Sequence, residues 1–290
     1  MHVTQVRVDS GKAEPGVDKE KCDRLFGVPA PVAEIEAVRL GTRRVLRAVG
    51  DLTDEQAAAP SLLPGWTRAE VLTHLARNAD GGRGLAQSAA QGEVGSQYPG
   101  GLEQRAAGIA AGRGVNAAAL LADLRRSCDA LMEAWTQLPD EAWDGIGRSL
   151  TGQRTQREWV WSRWREVEVH HVDLGLGYSA AEWPVAFVTR GLDDAFADLP
   201  HRATDRRRIP SDVSFRIEAT DHDRAWTVHL NGSATHVERD DSASLPVDGT
   251  ITGWGCDALA WLYGRDASGA GLTASGDLTG LRLPDWFPYT

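Results

Sequence analysis

Cysteine is scarce in this chain of 290 residues: Cys22, Cys128 and Cys256 are odd in number, widely separated and form no CxxC pair. Their spacing suggests neither a disulfide framework nor a thiolate zinc site, and it fits a reducing cytoplasm. Long apolar runs are missing too. No stretch approaches the roughly 18 apolar residues of a membrane span, and the amino-terminal MHVTQVRVDSGKAEPGVDKEKCDRLFG has no apolar signal-peptide core. Positive charge is in deficit: 31 Lys and Arg stand against 41 Asp and Glu, a formal net charge of -10. Phosphate backbones and anionic membranes are poor partners for such a chain. Its one tight basic cluster, Arg206 to Arg208, sits in a polar stretch beside a proline and reads as a solvated interdomain loop. No serine lies in a nucleophile-elbow context, and Gly175 and Gly177 follow a helical pattern instead of a strand, which speaks against a dinucleotide loop.

What is present is an ordinary globular composition, long enough for two cores. The expected division is a polar tail over residues 1–28, a helical domain over 29–180 and a smaller α+β domain over 181–290.

Four segments before residue 175 carry helical signals. In PVAEIEAVRLGTRRVLRAVGDL, Pro31 opens a stripe of Ile35, Val38, Val45, Leu46 and Val49. In LPGWTRAEVLTHLARNAD, Thr67 and Glu70 spell a capping box, and Val71, His74, Leu75 and Asn78 follow on one side. A third helix runs from about Asn116 and stops before Pro139, and a fourth from about Thr155 to Leu174. Four amphipathic helices of this length predict a bundle. The connection holding GEVGSQYPGG reads as a lid or rim. After Pro184 comes one more helix, then short strand-like runs (VSFRIEAT, AWTVHL, GTITG), a helical WGCDALAWLYGR and a polar ATHVERDDSAS loop. The 11 Trp residues fall mostly at helix or strand spacing, as core and interface packing does.

The chemistry concentrates in REVEVHHVDLGLGY, residues 165–178. Glu166 and His170 are four apart and share a helix face. Glu168 and His171 point elsewhere, as Asp173 does relative to Glu166, which argues against a continuous His–Asp relay within the segment. An i,i+4 carboxylate and imidazole can equally be a modest surface pair. His74 projects toward the predicted core, where an unpaired imidazole is costly; it is either a metal ligand or a core histidine bonded to a backbone carbonyl. Two imidazoles and a carboxylate are the protein ligand set of an open zinc site, although nickel, cobalt or iron also accept it.

LPGWTRAEVLTHLARNADG, LPDEAW and REWVWSRWREVEVHHVDLGLGYSAAEWP, followed more loosely by ALAWLYGR and ASGDL, resemble the mycothiol-dependent maleylpyruvate isomerase family, within the DinB-like metal-dependent thiol transferases. The resemblance covers about residues 30 to 285. It implies an α+β fold overall: a DinB-like four-helix bundle followed by a smaller C-terminal α+β domain resembling sterol carrier proteins. It places metal ligands on His74, Glu166 and His170, a catalytic arginine on Arg265 with Arg282 as the fallback, and a role for Asn78 in orienting the thiol cofactor; a structural Asn78 is the alternative. The implied cofactors are Zn2+ or another divalent metal and mycothiol. The implied reaction is addition of a metal-held thiolate to the cis double bond of maleylpyruvate, rotation and expulsion to the trans isomer, with Arg265 holding a substrate carboxylate. The same metal half serves a mycothiol S-transferase, used in detoxification or secondary-metabolite sulfur transfer. A third reading, from another class, is a metal-free binding module in which EVEVHH is a charged helical face. The expected setting is cytoplasmic and monomeric, with small-molecule electrophile and mycothiol as partners, and neither nucleic acid nor membrane.

Overall fold

The computed structural model describes residues 30–150, 152–201, 212–232, 234–239, 246–265 and 269–276. The expected tail over 1–28, Cys22, Arg206 to Arg208 and Arg282 lie outside the described residues.

Helix starts follow their caps. Helix α1, Val32–Ala48, begins behind Pro31 and buries Val38 and Val45. A one-turn α2, Asp54–Ala58, grows from a Thr53/Gln56 capping box. The long α3, Arg68–Ala90, starts as its sequence predicts: Glu70 N–H donates to Thr67 Oγ1 at 3.3 Å and Thr67 N–H donates to Glu70 Oε2 at 3.0 Å. The connection that follows α3, which holds GEVGSQYPGG, contains a helix that periodicity did not reveal, α4, Gly101–Ala110. Asn116 caps α5, Ala117–Thr136, through Oδ1, which accepts from Ala119 N–H at 2.8 Å. A 3-10 turn and the hairpin β1, Ile146–Ser149, with β2, Gly152–Thr155, lead into α6, Gln156–Asp173, which opens on a Thr155/Glu158 capping box. Gly175, at φ +63°, ends it in the left-handed conformation that suits a helix C-terminus.

Helix α3 packs on α5 and α6, and α1 packs on α6 and α5, which closes a four-helix bundle. Leu72, Leu75, Leu124, Leu131, Trp135, Val160 and Val167 fill it; each fully buried side chain of this size contributes about 1.5 to 3 kcal/mol. Helix α6 is enclosed on nearly all sides, so Arg163, Glu168, His171 and Asp173 are buried with its apolar residues. The charged-face reading of EVEVHH is therefore not what the chain builds.

Beyond α6, helix α7, Val185–Asp198, precedes a five-stranded sheet. Its strands are β3, Val213–Ala219; β4, Arg224–Leu230; β5, Thr235–Arg239; β6, Gly249–Gly253; and, after helix α8, Gly255–Leu262, strand β7, Leu272–Gly276. The order is β5-β4-β3-β6-β7, antiparallel except for the β3–β6 pair. Helices α7 and α8 pack together, and α8 contacts β3, so the sheet buries Phe215, Ile217, Val228 and Ile251. The predicted α+β fold, a helical bundle followed by a smaller mixed part, is what the chain adopts. The polar stretch expected as a loop is a strand over 235–239. It is an edge strand whose side chains are exposed or only half-buried, and so it shows no apolar alternation.

Candidate metal centre

Helices α3 and α6 bring the three predicted ligands together. One oxygen of Glu166, Oε2, lies 2.8 Å from His74 Nε2 and 3.2 Å from His170 Nε2. The three donor atoms lie within 4.8 Å of one another. The imidazole rings meet edge to face, with centroids 4.7 Å apart, and Trp66 also meets His74 edge to face, centroids 5.7 Å apart. Neighbouring turns of one helix supply Glu166 and His170, and the α3 stripe that buries Val71 and Leu75 turns His74 inward to meet them.

The electrostatics follow from burial. Loss of solvent pushes the His74 imidazole down to about 4 against a partial pull from Glu166, so this ring is neutral at pH 7. Burial alone would raise the Glu166 carboxyl, but hydrogen bonds from His170 and His74 hold it well below the usual carboxylate range. Burial likewise works against the charged His170 ring, yet its contacts with Asp173 and Glu166 raise it on balance.

Asp173 corrects the expectation that the segment holds no His–Asp relay. His170 Nδ1 lies 2.8 Å from Asp173 Oδ2. Three residues further along α6 is within reach of the far ring nitrogen, so the imidazole bridges Glu166 on one side and Asp173 on the other. Asp173 in turn takes Arg265, from the turn after α8, with Nε donating to Oδ1 at 3.1 Å and Nη2 to Oδ2 at 2.9 Å. Arg265 Nη1 donates to the Tyr263 carbonyl at 2.9 Å. The resemblance casts Arg265 as a fork for a substrate carboxylate; in this structure its fork is spent on Asp173, which is 2% exposed and would otherwise be a buried charge facing only an imidazole. Asn78 is buried one turn after His74. Its Oδ1 accepts from Arg163 Nη1 at 2.8 Å, so the group it can offer a ligand is Nδ2.

All five predicted residues line one cavity of about 530 Å³. Sequence reading missed much of the remaining wall. The GEVGSQYPGG stretch is a rim pinned to β1, with Gln97 N–H donating to the Arg148 carbonyl and Arg148 N–H to that of Gly95, at 2.9 and 3.0 Å. It presents Tyr98; α4 presents Leu102 and Arg105, and the hairpin presents Ser149 and Arg154. Four arginines, Arg105, Arg154, Arg165 and Arg265, line the cavity, and Glu166 is the single acid among its described residues. The wall is cationic in a chain whose net charge is -10.

Fold and geometry thus define a class: a four-helix bundle holding two imidazoles and a carboxylate at the wall of a cationic cavity, continued by an α+β part. The family model for the mycothiol maleylpyruvate isomerase N-terminal domain matches residues 38–175, just under half of the chain. That segment, which carries His74, Glu166 and His170, belongs to this domain family. Crystal structures of the mycothiol-dependent maleylpyruvate isomerase and of a point mutant of it are similar to most of the chain, with TM-scores of 0.68 and 0.69 at 24% and 23% identity. Each covers 85% of this chain and 93% of that one, and at this identity the likeness shows the fold. A UbiJ-SCP2 ubiquinone synthesis protein aligns over 35% of the chain at a TM-score of 0.25, too low to bear on the C-terminal fold. No curated protein sequence matches the chain.

Proposed function

We propose that the chain is a mycothiol-dependent, metal-dependent cis–trans isomerase of the maleylpyruvate isomerase type. The observation that carries this reading is the convergence of His74, Glu166 and His170 at the wall of a cationic cavity, within the segment that belongs to the isomerase domain family. The residues fit a divalent cation. His74 is neutral, Glu166 is a carboxylate, and His170 has its Nδ1 engaged by Asp173 and its Nε2 directed at the other two donors. Two nitrogens and one oxygen are three of the four ligands of a catalytic zinc site, and zinc is the preferred ion. A metal held there lowers the pKa of a bound thiol from its free value near 8.5, so that the sulfur is a nucleophile at pH 7.

The chain's other residues bind and orient. Arg105, Arg154 and Arg165 favour an electrophile bearing carboxylates, and charge of this sign close to the reacting atoms offsets negative charge that develops on a conjugated carbonyl. Asn78 offers its amide to the thiol cofactor. Trp66, Leu102 and Trp159 form an apolar wall that limits water around the reacting groups. None of the chain's cysteines is needed as nucleophile: Cys128 and Cys256, the two among the described residues, are buried and outside the cavity lining.

The test is turnover of zinc-loaded protein with mycothiol and two electrophile classes, maleylpyruvate and a haloaromatic or epoxide. Formation of fumarylpyruvate with the thiol pool undiminished supports the isomerase. Stoichiometric loss of thiol assigns the transferase instead, and absence of turnover with both classes removes this family of reactions.

A further inference from the structure

We infer that Asp173 and Arg265 are positioning residues for His170, so that the turn after α8 sets the geometry of a ligand that belongs to the bundle. This rests on the metal reading above and deepens it. Three contacts in series carry it: Arg265 grips Asp173 through two nitrogens at 3.1 and 2.9 Å, Asp173 Oδ2 meets His170 Nδ1 at 2.8 Å, and His170 Nε2 is left facing Glu166 and His74. A carboxylate on one imidazole nitrogen fixes the tautomer and the ring plane, and so fixes where the other nitrogen points.

The carboxylate itself needs support. Asp173 is 2% exposed, and a buried anion is tolerated where cations and donors surround it. Arg265 supplies that charge, and its own orientation is set by the Tyr263 carbonyl. The end of α6 is also tied by its backbone: Leu62 N–H donates to the Asp173 carbonyl at 2.8 Å, and Arg68 Nε to that of Leu174 at 2.7 Å. The main chain at Asp173 is therefore held independently of its side chain, so a side-chain substitution there tests positioning and not helix formation. Arg265 on this account acts on the reaction through Asp173 and His170 without touching substrate.

Zinc affinity of the full chain, read by competition with a chromophoric chelator, tests this without reference to turnover. Asp173→Asn is expected to bind zinc 10- to 100-fold more weakly, the usual range for a lost partner of a metal-ligating histidine. Arg265→Lys, which keeps the charge and loses the fork, is expected to weaken it about 10-fold on the same grounds. The double variant should be no weaker than Asp173→Asn alone, because the two act in series. The cobalt(II) absorption spectrum should change in both single variants. With maleylpyruvate, Arg265→Lys should lower kcat and leave KM unchanged. If Asp173→Asn fails to fold, Asp173→Glu, which displaces the carboxylate by one methylene, carries the same expectation.

Wild-type zinc affinity and cobalt spectrum in both single variants, alongside loss of zinc in His74→Ala, overturn the inference and leave the metal reading standing. A raised KM with unchanged zinc affinity in Arg265→Lys makes Arg265 a substrate ligand and overturns its part. Zinc binding that is unaffected by His74→Ala overturns the metal reading and this inference with it.

Discussion

Two carboxylate–imidazole pairs occur within six residues of α6, and their surroundings differ completely. Glu166 and His170, 24% and 13% exposed at their side chains, face each other, His74 and a cavity. Glu168 and His171 face the opposite way into packed protein. Glu168 is fully buried and accepts hydrogen bonds from Arg44, from Trp164 Nε1 at 3.0 Å and from Tyr178 OH at 2.6 Å, while His171 stacks on the Tyr178 ring, centroids 3.9 Å apart. The sealed carboxylate has a fixed cation and two fixed donors. Among the described residues the cavity carboxylate has only two imidazoles as partners, groups that can exchange their protons for a metal. Residue type does not separate a structural acid from a ligand; the permanence of its partners does.

The largest effects should come from breaking the cavity pair. His74→Ala and Glu166→Ala are expected to lose zinc and to reduce turnover at least ~1,000-fold, equivalent to about 4 kcal/mol of transition-state stabilisation. Metal content and assay measure this, and Tm of the metal-free protein should change little. Glu168→Ala should do the opposite. It leaves Arg44 without its anion and two donors without an acceptor, and should cost about 3 kcal/mol in chemical denaturation. That is the low end for a broken buried pair, because Arg44 is 33% exposed. Zinc stoichiometry should remain at the wild-type value. Loss of zinc in Glu168→Ala with full stability would erase the distinction between the two pairs.

Gly41 sharpens it further. A Cβ there would lie 2.8 Å from Glu168 Oε1 and 3.0 Å from Val167 Cγ1. Gly41→Ala should destabilise the fold by about 1 to 2 kcal/mol despite the better helix propensity of alanine, with unchanged zinc affinity.

Glu70 belongs to the sealed kind, and its effect is the smallest and depends on pH. It accepts from Arg113 Nε at 2.8 Å and from the α3 cap. Burial would raise its carboxyl, but the Thr67 and Arg113 contacts lower it below 4.5. The unfolded chain therefore binds this proton at higher pH than the folded one, so the contribution is complete above the unfolded value and fades as pH falls through the folded one. Glu70→Gln should be less stable than wild type by up to about 1 kcal/mol at pH 7. The gap in Tm should close as pH drops below 4.5.

Much of this was legible in the sequence, and the parts that were not share a cause. Thr67-x-x-Glu70 marks the start of α3 because a capping box is a local device, and the i,i+4 spacing of Glu166 and His170 fixes a shared face whatever surrounds the helix. The burial of Glu168 and His171 is not local. Their alternation with valines looks like a solvated face until α1 and the 176–183 segment are seen to cover it. Arg265 reaches Asp173 across 92 positions of sequence, and no periodicity encodes such a contact. Helix α4, the β1–β2 hairpin and edge strand β5 are short or polar and leave no apolar pattern, although the first two supply Arg105 and Arg154 to the cavity.

The most direct test of the central claim is an anomalous difference map from zinc-soaked crystals collected at the zinc edge. The account predicts one strong peak per chain, about 2.0 to 2.2 Å from His74 Nε2, His170 Nε2 and a Glu166 oxygen. A peak at His171 and Glu168, or none within bonding distance of all three predicted donors, would contradict it.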